Sequence, residues 1–110
     1  MLRTIRSLAA ATAVVLLVAC GTPTAAPQTI ELVVTDPPAD TRRVEVQLGA
    51  EVTLRITTPT ADRAHVHGYE IERDLAAGEP TDIVFEAAMA GTYEVESHVT
   101  DVIWLDLVIR

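Results

Sequence analysis

The chain has 110 residues and a net charge of −8, from 16 acidic residues against 8 basic ones. Loss of the amino-terminal leader described below removes Arg3 and Arg6, leaving six arginines and a net charge of −10. So acidic a surface excludes nucleic acid and anionic lipid head groups as partners, since both need basic patches, and it favours cations.

The segment MLRTIRS supplies Arg3 and Arg6, and an apolar run from Leu8 to Val18 follows. This run is too short and wrongly flanked for a lasting membrane span, so residues 1–19 read as an export signal. It ends in Leu17-Val18-Ala19-Cys20, which resembles the bacterial lipobox, where cleavage precedes a cysteine that carries diacylglycerol. The resemblance makes Cys20 the lipidated first residue of an extracytoplasmic protein anchored to the bacterial cell membrane. The alternative is an ordinary signal peptide followed by a stray thiol. Cys20 is the only cysteine, so once lipidated it leaves the domain without an internal disulfide, held by packing alone. Residues 20–28 lack periodicity and contain Pro23 and Pro27, the composition of an extended tether. One small domain, 29–110, remains.

That domain alternates with period two almost throughout. Ile30, Leu32 and Val34 come first, then Val44, Val46 and Leu48, then Val52, Leu54 and Ile56. A stretch 65–73 with Tyr69 and Ile71, then Ile83 and Phe85, Tyr93 and Val95, and Ile103 to Ile109 continue the pattern. The breaks DPPAD, LGAE, TPTAD, AAGEP and MAG have turn chemistry. The reading is an all-β antiparallel sandwich of about seven strands. Leu75-Ala76-Ala77 has room for a single helical turn before Gly78 and Pro80 stop it. Trp104, expected on the face opposite Ile103 and Leu105, either packs beneath a neighbouring strand or stands out as a contact residue.

The stretches VEVQLGAEVTLRIT, TADRAHVHGYEIE and AGTYEVESHVTDVIWLDLVI together resemble a small bacterial cupredoxin-like domain, related to that of cytochrome oxidase subunit II. The resemblance implies a cupredoxin-like sandwich with a histidine ligand at His65. It also implies that the cysteine ligand ending the penultimate strand falls on Ser97, beside His98. A blue copper site needs that thiolate and usually an axial methionine. Ser97 supplies no thiolate, no methionine follows it, and Met89 lies in the turn that opens strand 91–98, at the end away from His98.

Three histidines remain as candidate ligands: His65, His67 and His98. Residues two apart on a strand point the same way, so His65 and His67 can converge on one ion. If strand 65–73 begins where strand 91–98 ends, all three gather at one pole, where they suit Cu(II), or alternatively Zn(II). Strict alternation turns His98 away from the Tyr93 and Val95 face, so its participation is expected to need a departure from alternation at the strand end. Asp62, Glu70 and Asp101 are the neighbouring carboxylates expected to orient rings or complete the shell. A His-x-His pair in a strand is otherwise solvated or bonded to backbone. Ser97, His98 and Asp101 are residue types of a hydrolase triad, but adjacent strand residues diverge and no nucleophile elbow is present.

The functional expectation is therefore a lipid-anchored, extracytoplasmic metal-binding protein, not an enzyme, holding copper through histidines in a non-blue site. The alternative is a metal-free cupredoxin-like sandwich acting as a cell-surface interaction module. Labelling cells with a radioactive fatty acid checks the anchor: the wild-type chain takes up label and Cys20→Ser does not, whereas equal uptake removes the lipobox reading.

Overall fold

The computed structural model describes Val14 and residues 25–110. Apart from Val14, the expected export signal lies outside the described residues, as do Cys20 and the tether up to residue 24. Eight strands follow in order: β1 (Gln28–Val33), β2 (Arg42–Val46), β3 (Glu51–Thr57), β4 (Asp62–Val66), β5 (Ile71–Leu75), β6 (Thr81–Glu86), β7 (Gly91–Ser97) and β8 (Ile103–Ile109). No helix occurs among the described residues, and Ala77, where a helical turn had room, instead makes an isolated bridge to Thr58.

The strands form two sheets, β1-β3-β6 and β2-β8-β7-β4-β5. Two pairings are parallel, β1 with β3 and β2 with β8; the others are antiparallel. The β1–β3 pair is parallel because the chain changes sheet between β1 and β2 and again between β2 and β3. Consecutive strands that reverse direction while changing sheet bring alternate strands together running the same way.

Between the sheets lies one apolar core. Ile30 and Leu32 of β1, Val52, Leu54 and Ile56 of β3, and Ile83 and Phe85 of β6 face Val46, Ala64, Val66, Val95, Leu105, Leu107 and Ile109 of the larger sheet. Apart from Ala64 and Val66, which take the phase opposite to that expected for 65–73, these are the period-two positions of the sequence, as expected for strands buried on one face.

Two departures from the sequence reading shape the site. The stretch 65–73 is not one strand: β4 ends at Val66, a turn occupies His67 to Glu70, and β5 begins at Ile71. The turn needs Gly68, whose φ is +80° and whose missing Cβ would lie 2.3 Å from the Tyr93 ring. The second departure is a β-bulge. Val95 pairs with Leu105 and Glu96 with Ile103, so Trp104 is left over between them. An extra residue puts two successive side chains on one side, so Trp104 and Leu105 both enter the core, Trp104 at 5% exposure. Trp104 is therefore packed, on the same side as Leu105.

Leu54 is completely buried at the centre of the middle strand of the smaller sheet. Leu54→Ala is expected to cost about 2–5 kcal/mol by urea unfolding; a loss under about 1 kcal/mol contradicts this description of the core.

Candidate metal centre

The sites that the sequence singled out divide between two faces of one ladder. In the pairing of β4 with β7, Ala64 stands opposite Ser97, His65 opposite Glu96 and Val66 opposite Val95. Ala64, Val66, Val95 and Ser97 face the core and are fully buried. His65 and Glu96 alternate with them and face outward.

At the inner face, near the pole where β4 begins and β7 ends, Ser97 is locked. Its hydroxyl donates to Asp62 Oδ1 at 2.7 Å and accepts the amides of Val99 and Thr100 at 3.2 and 2.9 Å. A cavity of about 370 Å³ at this pole is lined by residues including Asp62, Thr100, Val102 and Trp104, and none of its lining residues is a histidine. The groups present do not fit a blue copper centre there: a hydroxyl stands at the thiolate position, its hydrogen-bonding capacity is spent, and imidazoles are absent from the cavity wall. Ser97 and Asp62 are thus a structural pair rather than aids to the histidines. The hydrolase constellation fails for the same reason, since Ser97 points inward while His98, the next residue, points outward.

The histidines lie along the outer face of the larger sheet rather than at its pole. Glu72 on β5 pairs with His65, and His65 with Glu96 on β7, making a row across three strands. Cross-strand neighbours stand close enough for their side chains to meet. His67 flanks the row as the first residue of the turn, tied to β7 by its amide bond to Glu94 O at 2.9 Å. His98 flanks it on the other side, its amide bonded to Arg63 O at 2.7 Å. No departure from alternation is needed for His98, because His65, Glu96 and His98 all take the outward phase. The ring centroids of His65 and His67 are 4.3 Å apart, and those of His65 and His98 are 5.8 Å apart.

His65, His67 and Glu96 each bring one ligand atom to within 4.8 Å of the others. His67 Nε2 donates to Glu96 Oε1 at 2.5 Å, and His65 Nδ1 lies 3.6 Å from the same oxygen. Ligand atoms bound tetrahedrally at about 2.0–2.2 Å from an ion sit roughly 3.3 Å apart. The His67–Glu96 and His65–Glu96 separations lie on either side of that value. Two imidazoles and a carboxylate suit Cu(II) or Zn(II). His65 and Glu96 are the enclosed members, with side chains 13% and 16% exposed, while His67 is 42% exposed.

The hydrogen bond from His67, with a smaller contribution from His65, holds the Glu96 carboxyl below its ordinary value of 4.5, against the opposing effect of burial. The stability from this pairing is complete above about pH 4.5 and is lost as pH falls through the lower native value. Glu96 is therefore already an anion at mildly acid pH.

Of the carboxylates expected around the histidines, Glu70 lies 3.7 Å from His65 Nε2. Asp62 is engaged by Ser97, and Asp101 terminates the turn after β7, its amide bonded to Ser97 O. Glu96 and Glu72 were not singled out. The signal was available: the same alternation that sends Val95 inward sends Glu96 outward with His65.

The family model described as Cupredoxin-like domain matches residues 8–101. No curated protein sequence matches the chain. Solved structures share the fold. They include a copper binding protein in the apo form solved by NMR (11% identity over 82% of this chain and 93% of that one, TM-score 0.64). A Cu(I) form of a mutant amicyanin gives 17% identity over 74% and 82%, with TM-score 0.54. The multicopper oxidase Fet3p gives 15% identity over 76% of this chain and 23% of that one, with TM-score 0.62.

Restoring the missing thiol tests the division between the faces. Ser97→Cys, made with Cys20→Ser, is expected to acquire no intense thiolate-to-copper absorption on adding Cu(II), because no imidazole lines the inner-face cavity at that pole. Intense blue colour contradicts the assignment of the histidines to the outer face.

Proposed function

The chain belongs to the cupredoxin-like domain family, and from that premise we propose that it is a copper-binding protein whose ion is held on the outer face of the larger sheet by His65, His67 and Glu96. The observation that carries this reading is the three-residue set itself, two imidazoles converging on one nearly enclosed carboxylate. The copper-binding protein and amicyanin among the structural neighbours support copper as the metal. So does the higher affinity of nitrogen and oxygen donors for Cu(II) among divalent ions. Zn(II) suits the same donors. The protein binds rather than catalyses, and lacking a thiolate ligand it holds copper without the blue centre's redox tuning.

Location completes the reading. With Cys20 lipidated, the domain sits outside the cytoplasmic membrane on a short tether, its acidic surface meeting cations as they arrive. The partners are then the membrane, through the anchor, and the metal ion.

Isothermal titration of the full-length Cys20→Ser chain with Cu(II) tests the binding. His65→Ala and His67→Ala are each expected to weaken the first equivalent at least about tenfold, and Glu96→Gln by a comparable factor, as loss of a ligand does. Binding weakens as pH falls below neutrality, because ligating imidazoles must be neutral. Wild-type affinity in the double variant at His65 and His67 overturns the site.

A further inference from the structure

A second ligand set adjoins the first. His65, Glu72 and His98 also bring one atom each to within 4.8 Å of one another. The two sets share His65 and no other residue. They flank it on the sheet, with Glu96 on β7 to one side and Glu72 on β5 to the other. The two nitrogens of His65 face different carboxylates: Nδ1 lies 3.6 Å from Glu96 Oε1, and Nε2 lies 3.7 Å from Glu70 Oε2. The His98 ring stands nearly perpendicular to that of His65, at 85°, while His67 is tilted to it by 46°. One imidazole can serve two ions when each nitrogen supplies a lone pair, which requires loss of its remaining N–H proton.

Resting on the metal-binding reading above, we propose that His65 bridges two divalent transition-metal ions. An inner ion is held by Nδ1 of His65 with His67 and Glu96, and an outer ion by Nε2 of His65 with Glu72 and His98. When the second ion binds, the remaining N–H bond of His65 breaks, a nitrogen–metal bond forms and the proton passes to solvent; no electron is transferred. Glu70 is 79% exposed and close to Nε2, free to close on the outer ion.

The order of filling follows from enclosure and charge. The inner set contains the enclosed residues His65 and Glu96, whereas Glu72 and His98 are 37% and 52% exposed. Glu72 is also shared: its Oε2 pairs with the Arg63 guanidinium at 2.9 Å, and its Oε1 faces His98 Nδ1 at 3.9 Å. That fixed positive charge opposes a second cation. The outer ion therefore binds after the inner one and more weakly.

Native mass spectrometry and EPR on the full-length Cys20→Ser chain with added Cu(II) test this. The first equivalent is expected to give a full Cu(II) signal. The second binds and reduces the integrated signal, because a deprotonated imidazole couples the two copper spins antiferromagnetically. His98→Gln and Glu72→Gln are each expected to hold a single ion with full signal, with first-equivalent affinity within about threefold of wild type and an unchanged apo melting temperature. The bridge is overturned if wild type stops at one ion, if the second leaves the signal undiminished, or if His98→Gln keeps a coupled pair. A single uncoupled ion that His67→Ala releases overturns the bridge alone. A chain that binds no copper overturns both this and the reading beneath it.

Discussion

Ala64 opposite Ser97 and His65 opposite Glu96 are neighbouring rungs of the ladder between β4 and β7. Side chains alternate across a strand, so these rungs deliver their groups to opposite faces. The register holds because the inward rungs are apolar and closed: Ala64, Val66 and Val95 have no exposure at all. A slip of one residue would send His65 and Glu96 into that core and bring Val66 and Val95 to water, at a cost no outer contact could offset. The core thus enforces the geometry of a site in which no core residue takes part.

The outer face has its own electrostatic requirement. Glu72 and Glu96 stand either side of His65, with Asp74 and Glu94 on the same phase of their strands. Carboxylates gathered this closely repel one another, and the protein answers locally with cationic or proton-donating groups. Arg63 takes Glu72 at 2.9 Å and Asp74 at 3.8 Å, while His67 takes Glu96. These answers differ in kind. Arg63 is permanently charged, whereas His67 contributes a proton that a metal ion can replace, so the Glu96 side is the part of the face open to exchange.

Much of this was legible in the period-two pattern. It identified most core positions from Ile30 to Ile109, and the resemblance carried by Ser97 and its strand pointed to the fold. But the pattern set His65 and His67 in the inward phase of Tyr69 and Ile71, whereas Ala64 and Val66 are the buried residues of β4. The same pattern also held Glu96 and His98 in one phase, but the three histidines were placed at a pole because the strand was expected to begin at His65, whereas β4 begins at Asp62 and the chain turns after Val66. The turn at His67–Glu70 depends on Gly68 fitting against Tyr93, a contact 25 residues away that no local pattern displays. Trp104 is similar. Its direction is set by a bulge, which depends on the pairing of β7 with β8 rather than on either strand alone. Nor does alternation say which sheet a strand joins, so the pairing of β4 with both β5 and β7, which creates the row Glu72–His65–Glu96, became visible only in three dimensions.

Placing ligands outside the core separates binding from folding. A metal buried between the sheets would be part of the packing, and its loss would leave a cavity lined by unpaired donors. On the outer face the ligands already have partners without metal, His67 with Glu96 and Glu72 with Arg63. Ion binding at the proposed site would exchange one set of polar contacts for another without calling on β3, β6 or the inner face of β8. Stabilisation by an ion that binds only the native state depends on the ratio of its concentration to its dissociation constant, not on how deeply it is buried. On the proposed reading, an outer-face site would fill and empty as copper supply changes, over a core that remains closed throughout. Such a site would suit a protein that takes up and releases an ion better than one that keeps it permanently.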